Sequence, residues 1–185
     1  LSGIEEKLKG DILHQGDRFD AKPGEIVFCQ GYPARKCYFV LNGRLKLLKV
    51  HKQGKAVVIR YIHPGELTAA IAVFKEKDYP VTAEAVGPTQ LVAWDRRTIV
   101  RLMTEYPEIV VNLLKVAFDR LEDLQTRYLE LCTDQAELRI GRALLRIIRQ
   151  SGRKTKDGIL IDFRLSRHEL AEYAGTTMYT VSRTL

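Results

Sequence analysis

The amino-acid sequence predicts an α+β protein in which a β-roll is followed by a long helix and a small helix-rich unit. Three patterns support this fold class. Between residues 14 and 94, turn residues recur about every ten positions and separate short β-rich runs. From residue 107 the apolar period becomes about 3.5 residues, which is typical of a helix that pairs along its length. Beyond residue 134, helical patterns flank a hairpin signal.

The β-rich part is predicted to form the roll from runs at residues 26–28, 37–41, 44–48 and 57–62. The boundaries are the dipeptides Pro23-Gly24, Gln30-Gly31, Asn42-Gly43, Gln53-Gly54 and Pro64-Gly65. Asn42-Gly43 predicts a hairpin, because both turn residues accept positive φ. No amphipathic helix of ten residues interrupts the runs, so the sequence argues against a doubly wound sheet and favours an all-β roll.

Residues 107–133 carry an apolar stripe with a coiled-coil repeat. Its members are spaced alternately by four and three positions: Val110, Leu114, Ala117, Leu121, Leu124, Tyr128 and Leu131. Pro107 suits the first position of a helix, which would extend about 40 Å. Such a helix either packs on its own domain or pairs with a second subunit, and the charged flanks of the strict repeat favour the second. The sequence therefore predicts a homodimer with this stripe as its interface.

The C-terminal unit begins with a predicted amphipathic helix and a hairpin. The apolar side of the helix consists of Ile140, Ala143, Leu144, Ile147 and Ile148, and its polar side of Arg139, Arg142, Arg146 and Arg149. Ser151-Gly152 ends this helix, and Asp157-Gly158 predicts the hairpin turn that follows.

The last twenty residues have the spacing of a helix-turn-helix motif. Ser166 and Glu169 form a capping box, and Thr177 caps a second helix. Two crossing helices need a small residue where they meet, and Ala171 supplies it. Gly175 permits the left-handed turn between them, and Val181 anchors the second helix to the first. Together with the preceding hairpin, these signals predict a winged helix-turn-helix rather than an αα-hairpin without a nucleic-acid partner.

The basic excess is concentrated in this last unit. The chain has a formal net charge of +7, and residues 135–185 supply +5 of it, from 10 Lys and Arg against 5 Asp and Glu. Such asymmetry indicates a polyanion partner, although a solvated basic face has the same composition.

At these residues the chain resembles the cAMP receptor protein/FNR family of bacterial transcription regulators. The resemblance lies in Pro64-Gly65-Glu66, in the run Leu165-Ser166-Arg167-His168-Glu169-Leu170-Ala171, and in Gly175 followed by Thr180-Val181-Ser182-Arg183. It implies a cyclic-nucleotide-binding-type roll over residues 1–106, a dimerisation helix over 107–133, and a winged helix-turn-helix over 134–185 that continues beyond Leu185. It also implies a homodimer on a palindromic operator in double-stranded DNA, contact with RNA polymerase if the protein is an activator, and allosteric control by an effector in the roll.

The resemblance assigns DNA contacts to the second helix of the motif. Arg183 matches the family arginine that reads bases, and arginine is the natural bidentate partner of guanine. Met178 and Tyr179 replace the family's charged pair and suit thymine methyl groups, so the operator is expected to differ from that of the archetypes. The positions matched to phosphate contacts are Thr176, Thr177, Thr180, Ser166 and Arg167.

At the implied effector pocket, the residues depart from those of cyclic-nucleotide binders. Ala69 and Ala70 stand where the Gly-Glu pair belongs, Val81 and Thr82 where Arg-Ser belongs, and Leu124 and Gln125 where the purine-binding pair belongs. A buried phosphodiester without its arginine is costly, so cyclic AMP is disfavoured. An iron–sulfur cluster of the FNR type is also disfavoured, because it needs four cysteines and the chain has three.

Residues 79–85 and Ala69-Ala70 resemble most the nitric-oxide-responsive branch of the family (DNR-, NnrR- and HcpR-like proteins), in which several members use haem. The resemblance therefore predicts haem as the effector group, with nitric oxide as its ligand. His14 or His63 would be the axial ligand, and Cys29 and Cys37 are further candidates. Each also suits a structural role at the surface, in a turn or in the core.

The sequence shows no nucleophile motif, phosphate loop or carboxylate pair, so an enzyme is not expected. No apolar run of 18 residues is present, and no basic-then-apolar segment follows Leu1-Ser2-Gly3, so we expect a cytoplasmic protein without a membrane partner. The alternative function is a regulatory module that binds a cyclic nucleotide or another small molecule and acts through a protein partner. The basic helix-turn-helix argues against this alternative.

Overall fold

The computed structural model describes residues 6–51, 56–156, 158–161, 163 and 165–185. The predicted turn at Gln53-Gly54 and the first residue of the predicted turn at Asp157-Gly158 lie outside them. The N-terminal part contains α1 (Glu6–His14), β1 (Asp17–Ala21), β2 (Ile26–Phe28), β3 (Lys36–Asn42), β4 (Leu45–Val50), β5 (Ala56–Ile62), β6 (Leu67–Thr68), α2 (Ala70–Phe74), β7 (Thr82–Ala85), β8 (Thr89–Asp95) and α3 (Arg96–Glu105). There follow α4 (Pro107–Thr133), α5 (Ala136–Ser151), β9 (Gly152–Thr155), β10 (Gly158–Ile161), α6 (Arg167–Ala174) and α7 (Met178–Thr184).

Two four-stranded antiparallel sheets form the predicted roll. One sheet has the order β1-β8-β3-β6, and the other has the order β2-β7-β4-β5. Residues from both sheets meet in one core, in which Val40, Leu45 and Leu91 are fully buried. Each such side chain contributes roughly 1.5–3 kcal/mol on burial, so this shared core holds the two sheets together.

The hairpin predicted at Asn42-Gly43 is wrong. β3 pairs with β6 and β8, whereas β4 pairs with β5 and β7, so the chain crosses between sheets at this turn. Gly43 has φ of 80°, and a Cβ there would lie 2.4 Å from the Pro88 carbonyl oxygen. The Thr89 hydroxyl accepts from the Arg44 amide at 3.1 Å. The turn is therefore shaped by its contact with residues 88–89 and not by its own two residues.

The helix predicted over residues 107–133 is observed as α4, with Pro107 in its first turn. The predictions did not include α1 or α3. The start of α3 has a recognisable local signal, because the Asp95 side chain accepts from the Thr98 amide at 2.7 Å and caps the helix. No helix among the described residues is long and apolar enough to cross a membrane.

The predicted helix, hairpin and helix pair are all present in the C-terminal part. Gly152 follows the end of α5, and Thr155 pairs with Gly158 at the end of the β9–β10 hairpin. A second core joins α5, α6 and α7 through Ile147, Leu170 and Val181. Val58 and Tyr61 of β5 belong to this same core, so the C-terminal part packs directly on the roll.

Candidate nucleic-acid interface and effector cavity

The helix-turn-helix is fixed locally by the residues that predicted it. The Ser166 hydroxyl accepts from the Glu169 amide at 3.1 Å, and the Glu169 carboxylate accepts from the Ser166 amide at 3.0 Å. Gly175 ends α6 in the left-handed region, with φ of 64°. The Thr177 hydroxyl accepts from the Thr180 amide at 3.2 Å and starts α7. Capping contacts of this kind stabilise a helix by about 1 kcal/mol each, so they fix the residues at which α6 and α7 begin.

Arg139 also holds the turn between α6 and α7, which the sequence did not indicate. Its guanidinium donates to the carbonyl oxygens of Ala174 at 3.2 Å, Gly175 at 3.1 Å and Asp134 at 2.8 Å. The first two carbonyls lie at the C-terminus of α6, where helical partners are missing. Arg139 therefore ties the turn to the start of α5.

The outer face of α7 presents the predicted DNA contacts to solvent. Tyr179 is 74% exposed, and Met178 and Arg183 are exposed as well, while Val181 is fully buried beneath them. Thr177 and Arg167 are exposed, and Thr176, Thr180 and Ser166 are half-buried. The structure thus places all eight predicted residues in the helix-turn-helix: in its two helices, at their N-caps or in the turn between them.

Arg183 is held by one exposed partner. Its guanidinium lies 3.1 Å from the Glu137 carboxylate. The Glu137 backbone amide and the Arg183 side chain lower the pKa of that carboxyl. An exposed ion pair is weak, so Arg183 can exchange this carboxylate for another acceptor.

A cavity of about 320 Å³ lies between the roll and α4. Ala69, Ala70 and Val81 line it, as the predicted effector pocket requires. Thr82 is not in the lining, and its hydroxyl accepts from the Gln30 amide at 3.0 Å. Leu124 lines an adjacent cleft of about 480 Å³, and Gln125 is exposed outside both spaces.

Arg120 of α4 lines both the cavity and the cleft, and no sequence signal identified it. Its Nη2 donates to the Leu67 carbonyl oxygen at 3.5 Å. Its Nε is shielded from solvent and has no hydrogen-bond partner among the described residues. Burial, with a contribution from the nearby Arg60 cation, lowers the pKa of Arg120 to about 10. Glu66, the neighbouring carboxylate, is engaged by Arg60 through two contacts of 2.8 and 2.9 Å.

Ala69 has φ of 64°, a left-handed conformation that costs a residue with a Cβ about 1–2 kcal/mol. We expect Ala69→Gly to raise the free energy of unfolding by about 0.5–1 kcal/mol, because the relief of strain exceeds the added backbone entropy of glycine. Urea denaturation measures the change. Ala72→Gly, inside α2, is the matched control and is expected to lower stability by about 1 kcal/mol. Equal losses in both variants would contradict the strain at Ala69.

None of the predicted haem ligands lines the cavity. His14 is exposed, with Nδ1 2.7 Å from the Gly10 carbonyl oxygen, and His63 lies in the adjacent cleft beside Arg44. Cys37 is fully buried, and this burial raises the pKa of its thiol to about 12; Cys29 is half-buried. No group of three or more metal-ligating side chains occurs within the described part of the chain. The donor set around the cavity therefore does not fit a haem iron.

The predicted dimer stripe is uncovered in the single chain. Its exposed members are Val110, Leu114, Leu121, Leu124, Tyr128 and Leu131, and Ala117 is half-buried. A continuous apolar surface of this kind on a long helix is typical of a protein interface.

Polar contacts connect the roll, α4 and the helix-turn-helix. Arg127 of α4 donates to the Ile59 carbonyl oxygen at 3.0 Å and to the Tyr173 hydroxyl, and its guanidinium lies 4.3 Å above the Tyr173 ring. Lys46 of β4 lies 3.4 Å from the Glu169 carboxylate of α6. The Arg127 contacts join α6 to the cleft that Arg120 also lines.

Comparisons with known proteins agree with this architecture. Residues 18–106 match the cyclic nucleotide-binding domain, and residues 138–185 match the Crp-like helix-turn-helix domain. The cyclic AMP receptor protein of Thermus thermophilus is 31% identical over 162 residues, which are 88% of this chain and 72% of that protein.

Solved structures show the same arrangement. The catabolite activator protein of Thermus thermophilus matches with a TM-score of 0.65 and 27% identity, over 99% of this chain and 83% of that one. The c-di-GMP-responsive global regulator CLP of Xanthomonas campestris has the same fold, with a TM-score of 0.82 and 21% identity over 98% and 90% of the two chains. With two domain matches in the predicted order and a relative above 30% identity along most of both sequences, the chain belongs to the cAMP receptor protein/FNR family of transcription regulators.

Proposed function

We propose that the protein is a homodimeric regulator that binds a palindromic operator in double-stranded DNA under the control of an effector in the roll. The observation that carries the proposal is the outward face of α7, which is anchored by Val181 and presents Tyr179 and Arg183 to solvent. The exposed stripe on α4 supports the dimer, because two recognition helices must meet successive major grooves about 34 Å apart.

The proposed contacts divide into base and phosphate contacts. Arg183 would exchange Glu137 for the O6 and N7 atoms of a guanine, and Met178 and Tyr179 would meet thymine methyl groups. Phosphate contacts would come from Thr176, Thr177, Thr180, Ser166 and Arg167. Recruitment of RNA polymerase is proposed for the case of an activator.

The proposed mechanism is a shift between two arrangements of the helix-turn-helix about α4. An effector changes the population only if it binds one arrangement more tightly. Arg127 of α4 and Lys46 of the roll supply polar contacts that hold α6 in the present arrangement. Cyclic AMP stays disfavoured by Ala69, Ala70 and Val81. The haem and nitric-oxide effector stays a prediction from the resemblance, and the described cavity lining has no side chain that could serve as its axial ligand.

Arg183→Ala tests the DNA-binding proposal. We expect a loss of about 1–3 kcal/mol and relaxed specificity at one base pair of each half-site, because a bidentate contact to guanine is removed. The operator is first selected from random duplexes with the full chain, and affinities are then measured by fluorescence anisotropy over a series of salt concentrations. Wild-type affinity should fall steeply with salt.

Arg167→Ala is the matched control, since it removes an exposed cation of the same motif. This variant should weaken binding evenly across operator sequences and reduce the salt slope by about one. If Arg183→Ala behaves in the same way, Arg183 does not read bases. If no duplex is selected at all, the proposed function is wrong.

A further inference from the structure

We propose that the effector is a small organic carboxylate with an apolar body, bound in the cavity with its carboxylate on Arg120. This inference rests on the proposed function only in treating the cavity as the effector site. It is supported by three features of the described residues: the apolar lining, the charges around it and the unsatisfied guanidinium of Arg120.

The lining of the cavity is mainly aliphatic and aromatic. Phe28 and Leu47 come from the roll, Ile71 from α2, and Leu113 and Val116 from α4. Ligand sites of this kind take an apolar body and orient it with a few polar groups. A volume of about 320 Å³ is at the small end of such sites, so the ligand is expected to be small.

The charged groups around the cavity favour an anion. Lys75 and Lys77 are exposed residues of the lining, Arg120 is half-buried, and Asp78 is the one acidic residue among the described lining residues. Three cations against one carboxylate leave a local positive field, and the apolar walls strengthen it by excluding water.

Arg120 is the anchor because its hydrogen-bonding capacity is only partly used, by the Nη2 contact of 3.5 Å to the Leu67 carbonyl oxygen. Arg120 is half-buried, no ion pair to it occurs among the described residues, and its Nε lacks an acceptor there. Glu66, the carboxylate whose charge acts on Arg120, already forms a two-point contact with Arg60. A planar carboxylate matches the fork of a guanidinium and would bind Arg120 through its two Nη groups.

A cyclic nucleotide fits this chemistry less well. Besides its anion it brings ribose hydroxyls and a polar base, each of which needs a partner when buried. Ala69, Ala70 and Val81 present no side-chain donor or acceptor on that wall of the cavity. A carboxylate with a hydrocarbon body makes no such demand.

Arg120 also connects the cavity with the DNA-binding part. It lines the adjacent cleft together with Arg60 and Arg127, and Arg127 contacts Tyr173 of α6. A carboxylate on Arg120 neutralises its repulsion from Arg60 and draws this face of α4 towards the roll. The Arg127 contact on the same face transmits that movement to α6.

The test uses the purified full chain with hexanoate, octanoate and benzoate as probes. Octanamide is the neutral comparator, and cyclic AMP is the nucleotide comparator. Calorimetric titration and thermal unfolding are measured without DNA, so that ligand binding is scored independently of operator binding. We expect at least one carboxylate to bind at millimolar concentration or below and to raise Tm, and octanamide and cyclic AMP to bind at least tenfold more weakly.

Arg120→Gln is expected to weaken carboxylate binding about 10- to 100-fold, because a charge-assisted contact is lost. Without ligand this variant should unfold at the same temperature as the wild type or higher, since it removes a half-buried charge that has no ion-pair partner among the described residues. Lys115→Gln removes an exposed positive charge from α4 and should leave carboxylate binding unchanged.

The proposal is overturned if none of the three carboxylates binds, if octanamide binds as tightly, or if Arg120→Gln binds them like the wild type. Operator affinity with and without the bound carboxylate is measured last. A carboxylate that binds but leaves operator affinity unchanged contradicts its role as effector. Failure of operator selection both without ligand and with every probe contradicts the proposed function instead.

Discussion

Replacing both Leu121 and Leu124 by Asp is expected to convert the protein to monomers and to abolish operator binding. These side chains are 51% and 56% exposed in the single chain, so the substitutions leave its own core intact. In the proposed dimer the exposed half of each leucine is buried, at about 0.8–1.5 kcal/mol per side chain, or roughly 3–6 kcal/mol for the four in a dimer. The new carboxylates would also repel one another across the seam.

Sedimentation equilibrium measures the oligomeric state, and anisotropy measures affinity for the selected operator. Loss of the second half-site should reduce operator affinity by at least about 100-fold. The matched control is Lys115→Asp with Thr126→Asp, at exposed positions of α4 outside the stripe. The control should remain dimeric, and circular dichroism should show native helix content in both variants. A dimeric Leu121→Asp/Leu124→Asp protein with normal operator affinity would refute the proposed interface.

A second large effect is expected from Glu130→Ala, which should lower the free energy of unfolding by about 3 kcal/mol. Glu130 is only 6% exposed, yet it is charged and lies near the end of α4. Arg146 of α5 contacts both of its carboxylate oxygens at 2.8 Å, and Arg142 approaches to 3.5 Å. Removing one member of a buried ion pair costs about 3–5 kcal/mol because its partner is left uncompensated. The lower end of this range applies here, because the Arg142 side chain is half-exposed and can rotate into solvent.

Urea denaturation checks this prediction through a lower midpoint at constant m-value. Glu122→Ala, at an exposed position of the same helix, should change stability by less than about 0.5 kcal/mol. Combining Glu130→Leu with Arg146→Leu should recover much of the loss, because no buried charge then lacks a partner. A change below about 1 kcal/mol in Glu130→Ala would show that this cluster does not stabilise the α4–α5 junction.

The predictions that the structure confirms depend on residues close together in the chain. The capping box of Ser166 and Glu169 involves two positions three residues apart, and Gly175 needs only its own left-handed φ. The period of α4 is likewise a property of a single helix. Since the interactions that form helices and caps are local, the sequence is sufficient to predict them.

The Asn42-Gly43 turn shows where local information ends. The dipeptide marks a turn correctly, but a hairpin also requires that the strands on either side pair with each other. β3 instead pairs with β8, whose residues follow about fifty positions later in the chain. The choice between strand partners depends on burial across both sheets, which no turn residue encodes.

By itself, the sequence determined the α+β class, the apolar stripe of α4, the positions of α6 and α7, and the family, because period, caps and motif spacing are all local. Only the tertiary structure decided which charges are buried and unpaired. Arg120 and Glu130 are ordinary charged residues of a helix in the sequence. They differ from other charged residues of α4 only through segments that are distant in the chain. These segments bring Leu67 and Arg60 beside Arg120, and Arg146 beside Glu130. Burial and electrostatic pairing are properties of that packing, so the proposed ligand anchor and the α4–α5 junction could not be identified without it.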